Sequence, residues 1–185
     1  MKELSLNILD IAENSIKAKA ELVQIQIIES DELLTITIID NGIGMTEETL
    51  RSVSNPFYTT RTTRKVGMGI PLFRFAAEQT GGGLSISSIP IEKDGQHHGT
   101  NVTARFNRNH IDFTPLGDII STIVTLIQGH PTVDFAFTHI KDGVKITLDT
   151  RDLRLVLEDV PLDTFEVLTW IKDNLTEQYN ELIKK

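Results

Sequence analysis

A chain of 185 residues with 39% hydrophobic and 24% charged side chains has room for one fair-sized domain, or for one of about 110 residues with a small appendage. Its net charge of −8 argues against a nucleic-acid binder held by phosphate contacts, and the lack of cysteine excludes disulfides and thiolate chemistry. No apolar run reaches the length of a membrane span, and Lys2, Glu3, Asp10 and Glu13 leave no secretory core, so a cytoplasmic protein without membrane contact is expected.

Residues 3 to 19 read as a helix, with Leu4, Ile8, Ile11, Ser15 and Ala18 at helical spacing. Asp10 and Asn14, four apart, project from one face, and Lys17 lies close to it. Val23, Ile25 and Ile27 alternate with glutamines as a half-buried strand. Ser30-Asp31-Glu32 then turns the chain into a second strand, which ends at Asp40.

The stretch Asp40-Asn41-Gly42-Ile43-Gly44-Met45 is the centre of the chain's chemistry. Asn-Gly between apolar runs is first a hairpin signal, yet no second strand follows, and Thr46-Glu47-Glu48 reads as a helix start. A carboxylate at a strand end, beside glycines that let backbone approach a flat ligand, suits recognition of a purine edge. Asp40 can accept a hydrogen bond from an exocyclic amine, which selects adenine over guanine.

After a short helix at 46 to 53, residues 55 to 65 are rich in hydroxyls and cations and read as a mobile loop containing Thr60, Arg61, Arg64 and Lys65. Gly67-Met68-Gly69-Ile70 then opens a helix to about Thr80, with Pro71 in its first turn. Glycines before a helix N-terminus, beside cations, make a phosphate cradle. Gly81-Gly82-Gly83 ends the helix, and the runs Leu84 to Ile91 and Gly99 to Phe106 read as paired strands. His97 and His98, near the turn between them, lack partners at metal-ligand spacing. The order helix, strand, strand, helix, loop, helix, strand, strand suits an α/β fold: a mixed sheet with helices on one face.

A polar stretch from Asn107 to Thr114 divides an expected domain at 1–109 from a C-terminal module at 110–185. In that module an amphipathic helix from Pro115 and Leu116 stops at Gly129-His130-Pro131. A hairpin turning at Asp142-Gly143 follows. A last helix, with a capping-box pattern at Asp163 and Glu166, runs to about Ile183. The result is a small α-β-β-α unit for binding a partner protein or for self-association as a homodimer.

Blocks in the family's order make residues 3 to 106 resemble the GHKL superfamily of gyrase B, heat-shock chaperones, histidine kinases and MutL. Leu9-Asp10-Ile11-Ala12-Glu13-Asn14-Ser15 resembles the N-box, which implies that Asn14 holds Mg²⁺. Asp40-x-Gly42-x-Gly44, with Met45, resembles the first glycine box, whose aspartate reads adenine. Asn55 to Thr60 resembles the kinase F-box, and Gly67-x-Gly69 the second glycine box. Gly99-Thr100 resembles a last one, whose threonine helps at adenine through water. The resemblance implies a Bergerat-type sandwich with ATP or ADP between the sheet's helices and a lid, in which Thr60, Arg61, Arg64, Lys65, Gly67, Met68, Gly69 and Ile70 are candidate contacts.

Two departures stand out. Pro71 occupies the place of a third glycine, and Asp10 stands where gyrase-like members carry a glutamate general base and most histidine kinases an asparagine. Lys17 matches a phosphate-binding lysine of the kinases. His110-x-x-x-Thr114-Pro115-Leu116 echoes a phosphoacceptor box but follows the ATP region instead of preceding it, and is read as a domain junction. The expectation is a Mg·ATP-binding, histidine-kinase-like regulator with slow hydrolysis, in which Asp10 is the catalytic candidate. The alternative is a protein kinase, of histidine or serine type, passing the γ-phosphate to a separate partner.

Overall fold

In the computed structural model, which describes residues 3–54 and 69–183, Leu4–Lys17 forms α1. Leu4, Ile8, Ile11 and Ala12 are buried along its apolar stripe. Its first free N–H groups are satisfied from far along the chain, Leu4 N by Pro115 O at 3.0 Å and Ser5 N by Leu116 O at 2.8 Å. The helix ends where Ala18 N closes on Asn14 O and Lys19 turns to φ 61°.

The chain continues through β1 (Leu22–Glu29), β2 (Leu33–Asp40), α2 (Glu47–Ser54), α3 (Gly69–Gln79), β3 (Gly83–Ile89) and β4 (Gly99–Asn107). There follow α4 (Ile119–Gly129), β5 (Asp134–Lys141), β6 (Val144–Asp149), α5 (Thr150–Leu157) and α6 (Phe165–Ile183). The strands form one mixed six-stranded sheet in the order β3-β4-β2-β1-β5-β6. Among the described strands only the β1–β5 pair is parallel.

Alternation decides which face is covered. Val23, Ile25 and Ile27 of β1 and Leu34, Ile36 and Ile38 of β2 point into the core with Val102, Ala104 and Phe106 of β4. Gln24, Gln26, Thr35, Thr37 and Thr103 take the other face, where Thr37 and Thr103 hydroxyls meet at 3.3 Å. On the apolar face, α3 packs on α1, α1 on α4 and α4 on α6. The fold is therefore α/β, with a mixed sheet backed by helices. Each large aliphatic or Phe side chain so buried stabilises it by about 1.5–3 kcal/mol. Among the described residues, no helix is long and apolar enough to cross a membrane.

Several C-terminal boundaries differ from expectation. Pro115 does not begin a helix; its carbonyl is occupied by Leu4 N, and α4 starts at Ile119. There Asp118 is the cap, its carboxylate accepting from Ser121 N at 2.9 Å. The hairpin forms as expected, with Asp142 and Gly143 both at positive φ, the pattern of a type I′ turn. An additional helix, α5, follows it directly, capped by Asp149. The last helix begins at Phe165, and its first closure runs from Leu168 N to Thr164 O; no Asp163–Glu166 box appears among its hydrogen bonds. Strand β5 lies along β1, and α4 against α1, so residues beyond 110 share the sheet and the hydrophobic core with those before it.

Candidate functional site

Asp40 closes β2 and is 8% exposed. A carboxylate is stable there only if its lone pairs are satisfied. Its Oδ2 accepts from Ser15 Oγ at 2.6 Å, and its Oδ1 from Gly42 N at 2.9 Å and Thr100 N at 3.2 Å. Helix α1, the glycine loop and β4 thus converge on one side chain. Three donors leave an ionised carboxylate with acceptor capacity to spare, since it offers about four lone-pair sites.

The loop after Asp40 is fixed by backbone geometry. A Cβ on Gly42 would meet Ala18 O at 2.6 Å, and one on Gly44 would meet Ile89 O at 2.0 Å; Gly44 also has φ +68°. Asn41 Oδ1 accepts from Glu21 N and Leu22 N, tying the loop to the start of β1. His98 Nδ1 lies 2.6 Å from Gly42 O, so that nitrogen carries the proton. Met45 N donates to Ser88 Oγ at 2.8 Å, and Ser88 Oγ donates to Gly99 O at 2.8 Å. With that proton spent, the 2.9 Å contact between Ser88 and Thr100 Oγ1 has Thr100 as donor. Thr46 caps α2, its Oγ1 accepting from Thr49 N.

These groups surround a cavity of about 210 Å³ lined by Asn14, Asp40, Gly44, Met45, Ile70 and Thr100, all expected, together with Ile11, Ser15, Ala18, Val53 and Val102. Gly42 flanks it through its bond to Asp40. Gly69 is the first residue of α3 and lies against α1: a Cβ there would meet Asp10 Cβ at 3.0 Å and Asn14 Nδ2 at 3.8 Å. Asp10 is therefore beside Gly69 and Asn14, exposed, and outside the cavity lining. Lys17 is exposed at the end of α1 and does not line the cavity. Thr60, Arg61, Arg64, Lys65, Gly67 and Met68, with the expected mobile loop, lie outside the described residues. No group of three His, Asp or Glu side chains suited to a metal occurs among the described residues.

Sequence reasoning missed Ser15, Ser88 and His98. Ser15 had a signal, being a hydroxyl in the apolar stripe of α1 and next to Asn14. Ser88 and His98 had none, because their roles arise from strand pairing and loop closure.

An α/β sandwich with a buried carboxylate at a strand end, a two-glycine loop and a helix start facing one cavity defines a nucleotide-binding class of fold. The model of the family described as histidine kinase-, DNA gyrase B-, and HSP90-like ATPase matches residues 2–110, and the chain belongs to that family. Among solved structures it is similar to the Aquifex aeolicus MutL ATPase domain complexed with ADP. The TM-score is 0.56 and the identity 17%, over 85% of this chain and 70% of that one. It is also similar to the N-terminal domain of a DNA repair protein, with TM-score 0.56 and 17% identity, over 80% of this chain but only 53% of that one. The shared fold covers more of this chain than the family match does, so it reaches into the C-terminal elements. No curated protein matches the chain.

Proposed function

We propose that the chain is a Mg·ATP-binding, nucleotide-dependent regulator with slow hydrolysis, acting on a partner protein through residues 110–185. The observation that carries this is a single buried carboxylate, Asp40, in a slot whose other walls are mostly apolar: Ile11, Ala18, Met45, Val53, Ile70 and Val102. Apolar walls take the faces of a flat heteroaromatic ring, and the carboxylate accepts from its amine. Thr100 and Ser15 hold that carboxylate in place and supply hydroxyls for a bridging water.

The phosphates belong toward α3, whose N-terminus at Gly69 and Ile70 opens beside Asp10 and Asn14 and whose first N–H groups have no partner within the helix itself. Lys17, three residues after Asn14, is the candidate cation of α1; the candidates Arg61, Arg64 and Lys65 lie outside the described residues. For Mg²⁺ the Asn14 side-chain amide is the candidate donor, and no cluster of three carboxylates or histidines occurs among the described residues. That donor set fits Mg²⁺, which keeps waters and takes one or two protein oxygens together with substrate phosphates. When bound, the ion neutralises phosphate charge.

Asp10 stands one turn before Asn14, at the place of a general base. An aspartate reaches about 1.5 Å less far than a glutamate on the same helix face, more than a hydrogen bond tolerates. This supports slow turnover. Steady-state phosphate release at saturating Mg·ATP tests it: Asp10→Glu should leave binding intact and raise the rate, whereas Asp10→Ala should change it little. General-base help is worth about 10²–10⁴-fold, so a brisk wild-type rate that collapses in Asp10→Ala would instead make the chain a competent enzyme.

A further inference from the structure

Away from Asp40, α5 and α6 enclose a second hollow of about 440 Å³, lined by Leu153, Val156, Leu157, Val167 and Trp170, with Glu166 at its edge. Two of its lining side chains are themselves largely exposed, Val156 at 82% and Trp170 at 51%, and Phe165, next to Glu166, is 79% exposed. Lone exposed apolar side chains are ordinary, whereas a contiguous set beside a groove marks a contact surface.

The surrounding charge selects the occupant. The arginines of α5 are consumed within the chain, Arg151 by Asp149 at 2.6 Å and Arg154 by Asp134 at 2.7 Å. Asp152, Glu158, Asp159, Asp163 and Glu166 make no ion pair among the described residues. A second copy of this chain would bring two acidic rims together, and an anionic lipid surface would be repelled in the same way. A groove between two helices accepts the ridge of a third, and an acidic rim favours lysine and arginine along its flanks.

We propose that the α5–α6 groove docks a basic amphipathic helix of a partner protein, its apolar face in the groove and its cations on the acidic rim. The proposal rests on the reading of residues 110–185 as the partner-binding part, and does not depend on nucleotide.

Trp170 is the only tryptophan and sits in the groove, so its emission reports occupancy. The probes are two synthetic helical peptides with the same apolar face, one with a Lys/Arg polar face and one with a Glu polar face, titrated against the full chain. The basic peptide should shift the emission to the blue saturably and less tightly as salt rises. Val156→Asp, at an exposed position, should weaken it by about tenfold or more. Reversing the rim with Asp159→Lys and Glu166→Lys should transfer the response to the acidic peptide. Equal responses to both peptides, or none to either, would overturn the proposal. A blue shift that grows with protein concentration alone, with dimers in sedimentation, would assign the groove to a second copy and overturn it too. ATP titration of the same preparation by calorimetry reports on the Asp40 cavity separately, so either reading can fail alone.

Discussion

Ser15 shows how far a single residue can be read in advance. Its helical spacing places it on the buried face of α1, but spacing cannot say that the hydroxyl meets a carboxylate 25 positions later. That Asp40, Gly44 and Asn14 line one cavity was expected from their residue types at their positions along the chain. Glu29 was not, because its partners come from the ends of two other strands, β4 and β5. His139 Nε2 is 3.3 Å from Oε2, Lys141 Nζ 2.8 Å and Arg108 Nη2 2.6 Å from Oε1. The buried imidazole is the largest influence holding the Glu29 carboxyl down, from 4.5 to about 2; Lys141 and Arg108 add to it and burial opposes it. The His139 contact is poorly aligned, as Nε2 makes no hydrogen bond of good angle, so the lysine and arginine contacts are the firmer ones. The folded-state value lies below the unfolded one, so this stabilisation is present above pH 4.5 and is lost as pH falls through about 2. It amounts to on the order of 2–3 kcal/mol. Urea unfolding of wild type and Glu29→Gln over that interval should give stability curves that converge on acidification; parallel curves would remove Glu29 from the balance.

At the scale of elements, periodicity located every strand and most helices. It failed where two periods overlap. Leu153, Leu155 and Leu157 alternate as in a strand, yet Leu153 and Leu157 also stand one helical turn apart, and the Asp149 cap makes α5 a helix. Pro115 misplaced the start of α4 because a proline tolerated in a first turn is equally at home in an extended segment, here one that caps α1. The glycine loop is the element on which the site depends most. Gly44→Ala places a Cβ in a left-handed backbone and against Ile89 O. It should destabilise the fold by more than about 1 kcal/mol, and weaken ATP binding by displacing Met45 and its bond to Ser88. Urea unfolding and ATP titration check both effects. An alanine variant with unchanged stability and affinity would show that the loop is free to move.

For the whole molecule, the sequence conveyed the class of fold but not how its two ends join. Parallel pairing of β1 with β5 links strands separated by most of the chain, and alternation specifies a strand's buried face without naming its neighbour. The consequence is mechanical: α1, which carries Asn14 and Ser15, is bonded to residues 115–116 at its start and packs on α4. The Asp40 cavity and the C-terminal elements are thus in contact through α1. The proposed function requires the cavity to read an adenine amine through Asp40. The most direct measurement is calorimetric titration of the wild-type chain with ATP and with inosine triphosphate, which replaces that amine with a carbonyl oxygen and leaves the phosphates alike. A hydrogen bond to a charged group is worth about 1.5–3 kcal/mol, so ATP should bind roughly 10–100-fold more tightly. Equal affinities for the two nucleotides would contradict adenine recognition by Asp40.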